Sequence, residues 1–461
     1  MKFYHPAFLI TGSILTFAAC SGTDRLADDI GDTGGAPAAG GAAPGAGGAA
    51  PGAGGAPVTT GGAPAAGGAA PGAGGAPVTT GGSDPGPSGG ADPGGTGGEQ
   101  AAGGSDPGTG GMDGSGGGGN VSLEGPCDIY KAAGQECVAA YSMIRRIYSE
   151  YTGPLYQVRS GSNAMNTGSG GQLHDIPQNA DGFADKAAQD AVCANTTCTV
   201  SLLYDQSGRE NHLPVAKAGL TNGGEYAGMD DFESIANKGA LKVNGRDVYS
   251  LYMEARQGYR TTKPGNGMPI GSEAQGIYML ADGTRAGTAC CWDFGNVTPN
   301  PKSYAEMNTL FLGVAFWGKG EGNGPWFGAD FEAGVWMGGS KPGEPGWGGL
   351  NDAKNAPRNE NNPSMRVKYA LGFLKTGPNP DRYALRMADI ATANSVHTGY
   401  AGAFPSTKHF DNKGAIVLGV GGDNSNNSWG TFYEGAIVRG FPSDDTENAV
   451  FQHLKSVGYG K

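Results

Sequence analysis

The segment FYEGAIVRGFPSDDTENAVFQHL (residues 432–454) reads as a strand and a helix separated by a turn. Its first half belongs to the run TFYEGAIVRG (431–440), and its second half opens a short helix expected from Asp445 to Val457. Working back along the chain, short alternating runs recur in GAIVLGVGG (414–422), YALGFLK (369–375) and TVSLLYDQS (199–207). Gly, Asn, Asp and Pro break the sequence between them. That spacing of strands and turns predicts an all-β sandwich with long loops. One more helix is expected early, in CVAAYSMIRRIYSEY (137–151), where apolar residues fall at helical spacing from Val138 to Tyr148.

Two segments narrow the architecture. YDQSGRENHL (204–213) resembles the Asp-x-Ser-Gly-x-x-Asn-His turn of concanavalin A-like sandwiches. The segment 432–454 resembles their closing strand and following helix. Together they imply a concanavalin A-like or jelly-roll sandwich, whose concave face commonly binds carbohydrate.

The sandwich occupies only part of the chain. Glycine accounts for 88 of 461 residues, and much of it lies before Asn120. Residues 1–20 read as an export signal: Lys2, then an apolar stretch from Ala7 to Ala19 that is too short to span a bilayer. Its end, Phe17-Ala18-Ala19-Cys20, resembles a bacterial lipoprotein signal in which Cys20 becomes the lipidated first residue. An ordinary cleaved signal is the alternative. Residues 21–120 are a low-complexity Gly/Ala/Pro linker in which AAPGAGGAPVTTGG occurs at 49–62 and again at 69–82. Almost no large apolar side chain is present to offset ordering entropy, so it reads as a flexible tether. Residues 121–461 form the third segment, long enough to bury roughly three quarters of their unfolded surface.

The net charge of −12 and the lack of any Lys/Arg run argue against nucleic acid as a partner. A neutral polysaccharide is compatible with that surface, a lipid at Cys20 is the one membrane attachment expected, and a monomer is expected. Of seven cysteines, setting Cys20 aside leaves six. An even set after an export signal suggests disulfides in an oxidising compartment. Spacing favours the local pairs Cys127–Cys137 and Cys193–Cys198. Cys290 and Cys291 are adjacent, and neighbouring Cα atoms about 3.8 Å apart fall short of the usual disulfide range. Either they form a strained bridge, or each pairs elsewhere or stays free. The six histidines show no ligand spacing, no Walker loop or G-x-S-x-G elbow occurs, and neither metal nor cofactor is expected.

Two segments could carry chemistry. PWFGADFEAGVW (325–336), read as one strand, places Trp326, Asp330, Glu332 and Trp336 on one face. Phe327, Ala329, Phe331, Ala333 and Val335 fall on the other, a core face. Carboxylates between tryptophans suit sugar binding and acid/base work. A solvated strand face with incidental acids is the plainer reading. In GVGGDNSNNSWG (419–430), Gly421 and Gly422 let the backbone approach a ligand, and Asp423 follows them. An Asx-type turn is the plainer reading there. A calcium loop running from Asp423 to Glu434 fails on Ser428, which stands where an EF-hand needs Gly. Glu434 reads better as a strand-face residue.

With GPCDIY (125–130), AVCANTTC (191–198), ACCWDFGN (289–296) and WGKGEGNGPW (317–326), these segments are similar to the catalytic domain of glycoside hydrolase family 54 α-L-arabinofuranosidases, from Gly125 to the C-terminus. The resemblance implies a retaining, exo-acting enzyme that removes arabinofuranosyl groups from arabinan- or arabinoxylan-type polysaccharides. Glu332 matches the nucleophile and Asp423 the general acid/base. Asp330, Trp317 and Gly422 match substrate contacts. Cys290 and Cys291 match a vicinal disulfide lining the sugar pocket. Two departures stand out. Ala333 replaces an Asn that commonly follows the nucleophile, and the chain stops at Lys461, leaving no room for the C-terminal arabinose-binding β-trefoil that members often carry. A non-catalytic lectin on the same sandwich and a β-D-galactofuranosidase are the rival readings.

Overall fold

The computed structural model describes residues 124–220, 226–303, 306–314, 317–331, 334–349, 355–408 and 411–461. The export signal, Cys20 and the tether lie outside the described residues, as do Glu332 and Ala333.

Two antiparallel sheets form the sandwich. The larger has eight strands. Seven run in the order His397–Ala403, Arg382–Asp389, Ala370–Gly377, Gln275–Ala281, Gly430–Arg439, Arg246–Met253, Gly239–Val243. The eighth, Cys137–Ser142, also pairs with Gly430–Arg439. The second sheet has six strands, in the order Val335–Trp336, Trp326–Asp330, Met307–Gly313, Asp293–Val297, Ala415–Leu418, Tyr259–Arg260. A smaller five-stranded sheet gathers Tyr156–Ser160, Gln172–Ile176 and Cys198–Leu203 with two short strands.

Alternation decides which residues meet between the layers. Ile277, Met279, Leu374, Leu385 and Ile437 of the larger sheet pack against Phe294, Leu310, Leu312, Phe327, Ile416 and Leu418 of the smaller one. The opposite face of the larger sheet carries Tyr278, Leu280, Phe373 and Val438. Val450, Phe451 and Leu454 of the C-terminal helix Asp444–Val457 cover that face. Ser443 caps this helix by accepting the Thr446 N–H, and Gly458 ends it at φ +96°.

Glu434 is buried on the helix-covered face. Its carboxylate accepts from Arg145 at 2.8 and 2.9 Å and from the Tyr459 hydroxyl at 2.7 Å. It is therefore a strand-face residue with a structural ion pair, and it does not share a loop site with Asp423.

Three local expectations change. The early helix over Val138–Tyr148 is absent; Cys137–Ser142 is a strand buried on both faces. Val138, Ala139 and Tyr141 enter the inter-sheet core and Cys137 and Ala140 the helix-covered one, so an unbroken apolar run arises without alternation. Two seven-residue helices appear instead, Pro126–Ala132 and Lys186–Val192, the second capped by Asp185. Finally, 325–336 is not one strand. It ends at Asp330, and Val335–Trp336 returns alongside with Ala329 opposite Trp336 and Asp330 opposite Val335. Opposed residues share a face. The reversal therefore moves Trp336 to the core and brings Val335 to the side of Asp330.

The turn 204–213 is a brace between layers. Asp205 accepts from the N–H groups of Ala140, Ser207 and Asn211, and the Asn211 amide donates to the carbonyl of Val138. Disulfides join Cys127 to Cys137, Cys193 to Cys198 and Cys290 to Cys291, so the adjacent pair is bridged.

Candidate active site

The outer face of the six-stranded sheet can be read from its register. Arg260 lies opposite Val417, Val417 opposite Gly295, Gly295 opposite Thr309, Thr309 opposite Asp330, and Asp330 opposite Val335. One step along, Asp293 lies opposite Phe311 and Phe311 opposite Gly328. Asp293, Asp330 and Arg260 therefore share a face whose other residues are small or apolar.

Over part of this face the Cys290–Cys291 disulfide packs with Phe311, Trp317, Trp326, Val335 and Met337. The Cys291 sulfur lies 3.7 Å from Asp330 Oδ2. The Cys290 sulfur lies 3.5 Å from the Ser425 hydroxyl. The bridge thus touches Asp330 on one side and the loop bearing Asp423 on the other.

That loop follows the strand Ala415–Leu418. The Gly421 N–H donates to Ser425 O, and the Asn424 N–H returns to Gly421 O. Asp423 Oδ1 accepts from the Ser425 N–H at 3.0 Å, which is the Asx-type turn. A Cβ at Gly421 would lie 2.3 Å from Ser425 Oγ and 3.3 Å from Cys291 Cβ, so any larger residue would have to displace the Ser425 hydroxyl and press on the disulfide. Asp423 is half-buried, and Gly421 and Gly422 are buried.

The structure thus gathers Asp330, Trp317, Cys290 and Cys291 and sets the loop of Gly422 and Asp423 against the disulfide. Glu332 lies outside the described residues, two positions beyond Asp330. Trp336 does not join the site.

Three charged residues not singled out from the sequence are here as well. Asp293 is fully buried, and the Thr309 hydroxyl is the one neighbouring donor among the described residues that favours its charged form. Burial, then the charges of Asp330 and Asp423, push its carboxyl well above the ordinary range. It was legible in principle, since Cys291, Asp293 and Gly295 alternate along ACCWDFGN. Asp231 accepts from the side-chain amides of Asn424 at 3.0 Å and Asn426 at 2.6 Å, bracing the Asp423 loop. Arg260 donates to the carbonyls of Gly421 and Gly422. No local motif marks either residue, because each acts on a loop more than 150 positions away.

Burial pushes Asp231 up to about 7. Its value in the folded chain lies above that in the unfolded chain, so the native state holds this proton more tightly. The corresponding stability is present in full below about pH 4 and is lost as pH rises through about 7. Asn at this position keeps an oxygen for Asn424 and Asn426 and cannot ionise. Asp231→Asn should leave the melting temperature nearly unchanged at pH 4 and raise it at pH 8, by roughly 2–6 °C. Thermal unfolding at both values checks this; an equal shift at both would mean that ionisation of Asp231 is not involved.

Among the described residues, Cys290, Cys291 and Asp330 are the one group with metal-ligand spacing. The two sulfurs are bonded to each other and offer no thiolate.

Residues 126–460 match the family described as α-L-arabinofuranosidase B, catalytic. A probable α-L-arabinofuranosidase B of Aspergillus flavus is 40% identical over 342 residues, 73% of this chain and 62% of its own length. The α-L-arabinofuranosidase B of Aspergillus oryzae gives the same figures. This chain therefore spans somewhat less than two thirds of these relatives. Among solved structures, a GH54 α-L-arabinofuranosidase soaked with a cyclic sulfate inhibitor superposes with a TM-score of 0.64 at 37% identity, covering 73% of this chain and 66% of that one. An arabinofuranosidase complexed with arabinofuranosyl-α-1,2-xylobiose superposes with a TM-score of 0.64 at 36% identity, covering 73% and 65%.

Proposed function

Because the chain belongs to the α-L-arabinofuranosidase B catalytic family, we propose that it is a retaining, exo-acting α-L-arabinofuranosidase on arabinan- and arabinoxylan-type polysaccharides. One observation carries this reading: a single sheet face brings Asp330, the Cys290–Cys291 disulfide, Trp317 and the Asp423 loop into one cluster. In this reading Glu332, ionised, attacks the anomeric carbon while Asp423, protonated, donates to the leaving oxygen. Asp423 then takes a proton from the water that releases the sugar. Asp330 and the backbone at Gly422 hold hydroxyls, and Trp317 and the disulfide flank the five-membered ring. The arabinofuranosyl-xylobiose held by one solved relative supports a branched xylan as one substrate.

The three disulfides fit an oxidising, extracellular setting. The finer proposal is an outer-membrane lipoprotein anchored through Cys20 and displayed on the tether, on the ground of the Phe17-Ala18-Ala19-Cys20 ending of the export signal. Cys20→Ser should then leave the membrane fraction with its turnover intact.

The test of function uses the full chain against 4-nitrophenyl α-L-arabinofuranoside, its β-D-galactofuranoside counterpart and arabinoxylan, with the anomer of the released sugar followed by NMR. Release of α-arabinofuranose before mutarotation is the expected result. Binding without release would leave a lectin. Preference for the galactofuranoside, or first release of the β-anomer, would overturn the substrate or the retaining mechanism.

A further inference from the structure

Arg260 occupies a two-residue strand at the edge of the six-stranded sheet, on the same face as Asp330 and Asp293. It is among the largest fully buried side chains. Its Nη1 donates to Gly422 O at 2.6 Å and to Gly421 O at 3.4 Å, and its Nη2 donates to Thr298 O. These carbonyls belong to the chain leaving two neighbouring strands, Ala415–Leu418 and Asp293–Val297. Gly421 O also accepts from the Asn424 N–H, but the carbonyls of Gly422 and Thr298 lie beyond the strand ends, where no ladder satisfies them and a buried carbonyl without a donor is unfavourable.

A neutral amide could serve the carbonyls alone. A guanidinium adds a full charge in a site with little water, which is unfavourable without compensation. No carboxylate among the described residues forms a contact ion pair with it. Burial lowers Arg260 to about 10 even though the charges of Asp423 and then Asp231 oppose that fall. It is cationic at neutral pH, and the acid of the proposed proton transfer is the first of the groups that favour its charge. Asp231 braces the same loop through Asn424 and Asn426.

We propose that Arg260 is the positioning residue of the acid/base group: it fixes the two peptide carbonyls ahead of Asp423 and supplies the positive charge beside which Asp423 gives up its proton. This rests on the assignment of Asp423 as acid/base. In the first step the bond from anomeric carbon to leaving oxygen breaks and a bond from Glu332 to that carbon forms. The proton passes from Asp423 to the departing oxygen, leaving Asp423 anionic; Arg260 exchanges no proton. Its charge therefore counts most where proton donation is advanced, with a poor leaving group.

The test measures Arg260→Met and Arg260→Lys in the full chain, beside Asp423→Ala, on two substrates. One is 2,4-dinitrophenyl α-L-arabinofuranoside, whose leaving group departs without a proton, followed as the pre-steady-state burst. The other is methyl α-L-arabinofuranoside, whose methoxide cannot. Arg260→Met should lower turnover of the methyl glycoside about 100-fold and change the dinitrophenyl burst by less than about threefold. Arg260→Lys, which keeps the charge and loses the planar fork, should recover part of the loss. Equal losses on both substrates would make Arg260 a structural tie and overturn the proposal, as would failure of both variants to fold. If Asp423→Ala shows the split and Arg260→Met does not, only the role of Arg260 falls. If Asp423→Ala itself shows no split, the acid/base assignment fails, and this proposal with it.

Discussion

Glu332→Gln should abolish turnover of every arabinofuranoside, activated or not. In a retaining mechanism the nucleophile forms the glycosyl-enzyme in the first step and leaves in the second, so a good leaving group cannot replace it. Gln has nearly the shape of Glu and lacks its charge and nucleophilicity. The substitution therefore removes chemistry while sparing packing and binding. Turnover should fall by roughly 10⁴-fold or more on both 2,4-dinitrophenyl and methyl arabinofuranosides. Arabinofuranoside should still bind, and Trp317 beside the disulfide offers a fluorescence signal for it. The sharper arm is Glu332→Ala with azide. The cavity left by Ala lies on the attacking face, so any rescued product should be the inverted β-azide. Wild-type-like turnover of the activated substrate by Glu332→Gln, or an azide product of retained configuration from Glu332→Ala, would remove Glu332 from the nucleophile's role.

The parts of the fold legible in the sequence are those where one physical signal dominates. The strand Gly430–Arg439 and the helix Asp444–Val457 stand within a residue or so of their expected limits. There, turns and caps punctuate clear periods. The strand Cys137–Ser142 was hidden because both of its faces are buried, and period two vanishes when nothing is polar. The segment 325–336 shows a subtler failure. Its alternation holds through Asp330, and then the chain reverses. Parity carried past the reversal assigned Trp336 to the wrong face. The cluster of Asp330, Trp317, Cys290 and Cys291 was legible because its residues are close in sequence or matched a family motif. Arg260 and Asp231 could not be found that way. Each meets the Asp423 loop only after the sheets assemble, and a buried Arg or Asp looks in sequence like any surface charge.

Asp423→Ala should separate the two steps that Glu332→Gln abolishes together. The proton from Asp423 matters in proportion to the basicity of the leaving oxygen. On arabinoxylan, where a sugar alkoxide departs, turnover should fall by roughly 10²–10⁴-fold. On 2,4-dinitrophenyl α-L-arabinofuranoside the glycosyl-enzyme should form readily and then stall, because no base remains to activate water. A burst of dinitrophenol followed by a slow steady state is the expected trace. Azide is small, already anionic and needs no base, so it should speed the second step and give an α-arabinofuranosyl azide of retained configuration. The fold should tolerate the substitution. The Asp423 side chain is half-buried, and its carboxylate accepts from the Ser425 N–H within its own turn. Arg260 continues to hold Gly421 and Gly422 from beneath. Asp330→Asn makes the contrast, since a residue that holds the sugar should lose binding and rate together on both substrates and gain nothing from azide. If azide fails to accelerate Asp423→Ala, or the rescued product is inverted, Asp423 is not the group that serves as acid in one step and base in the next.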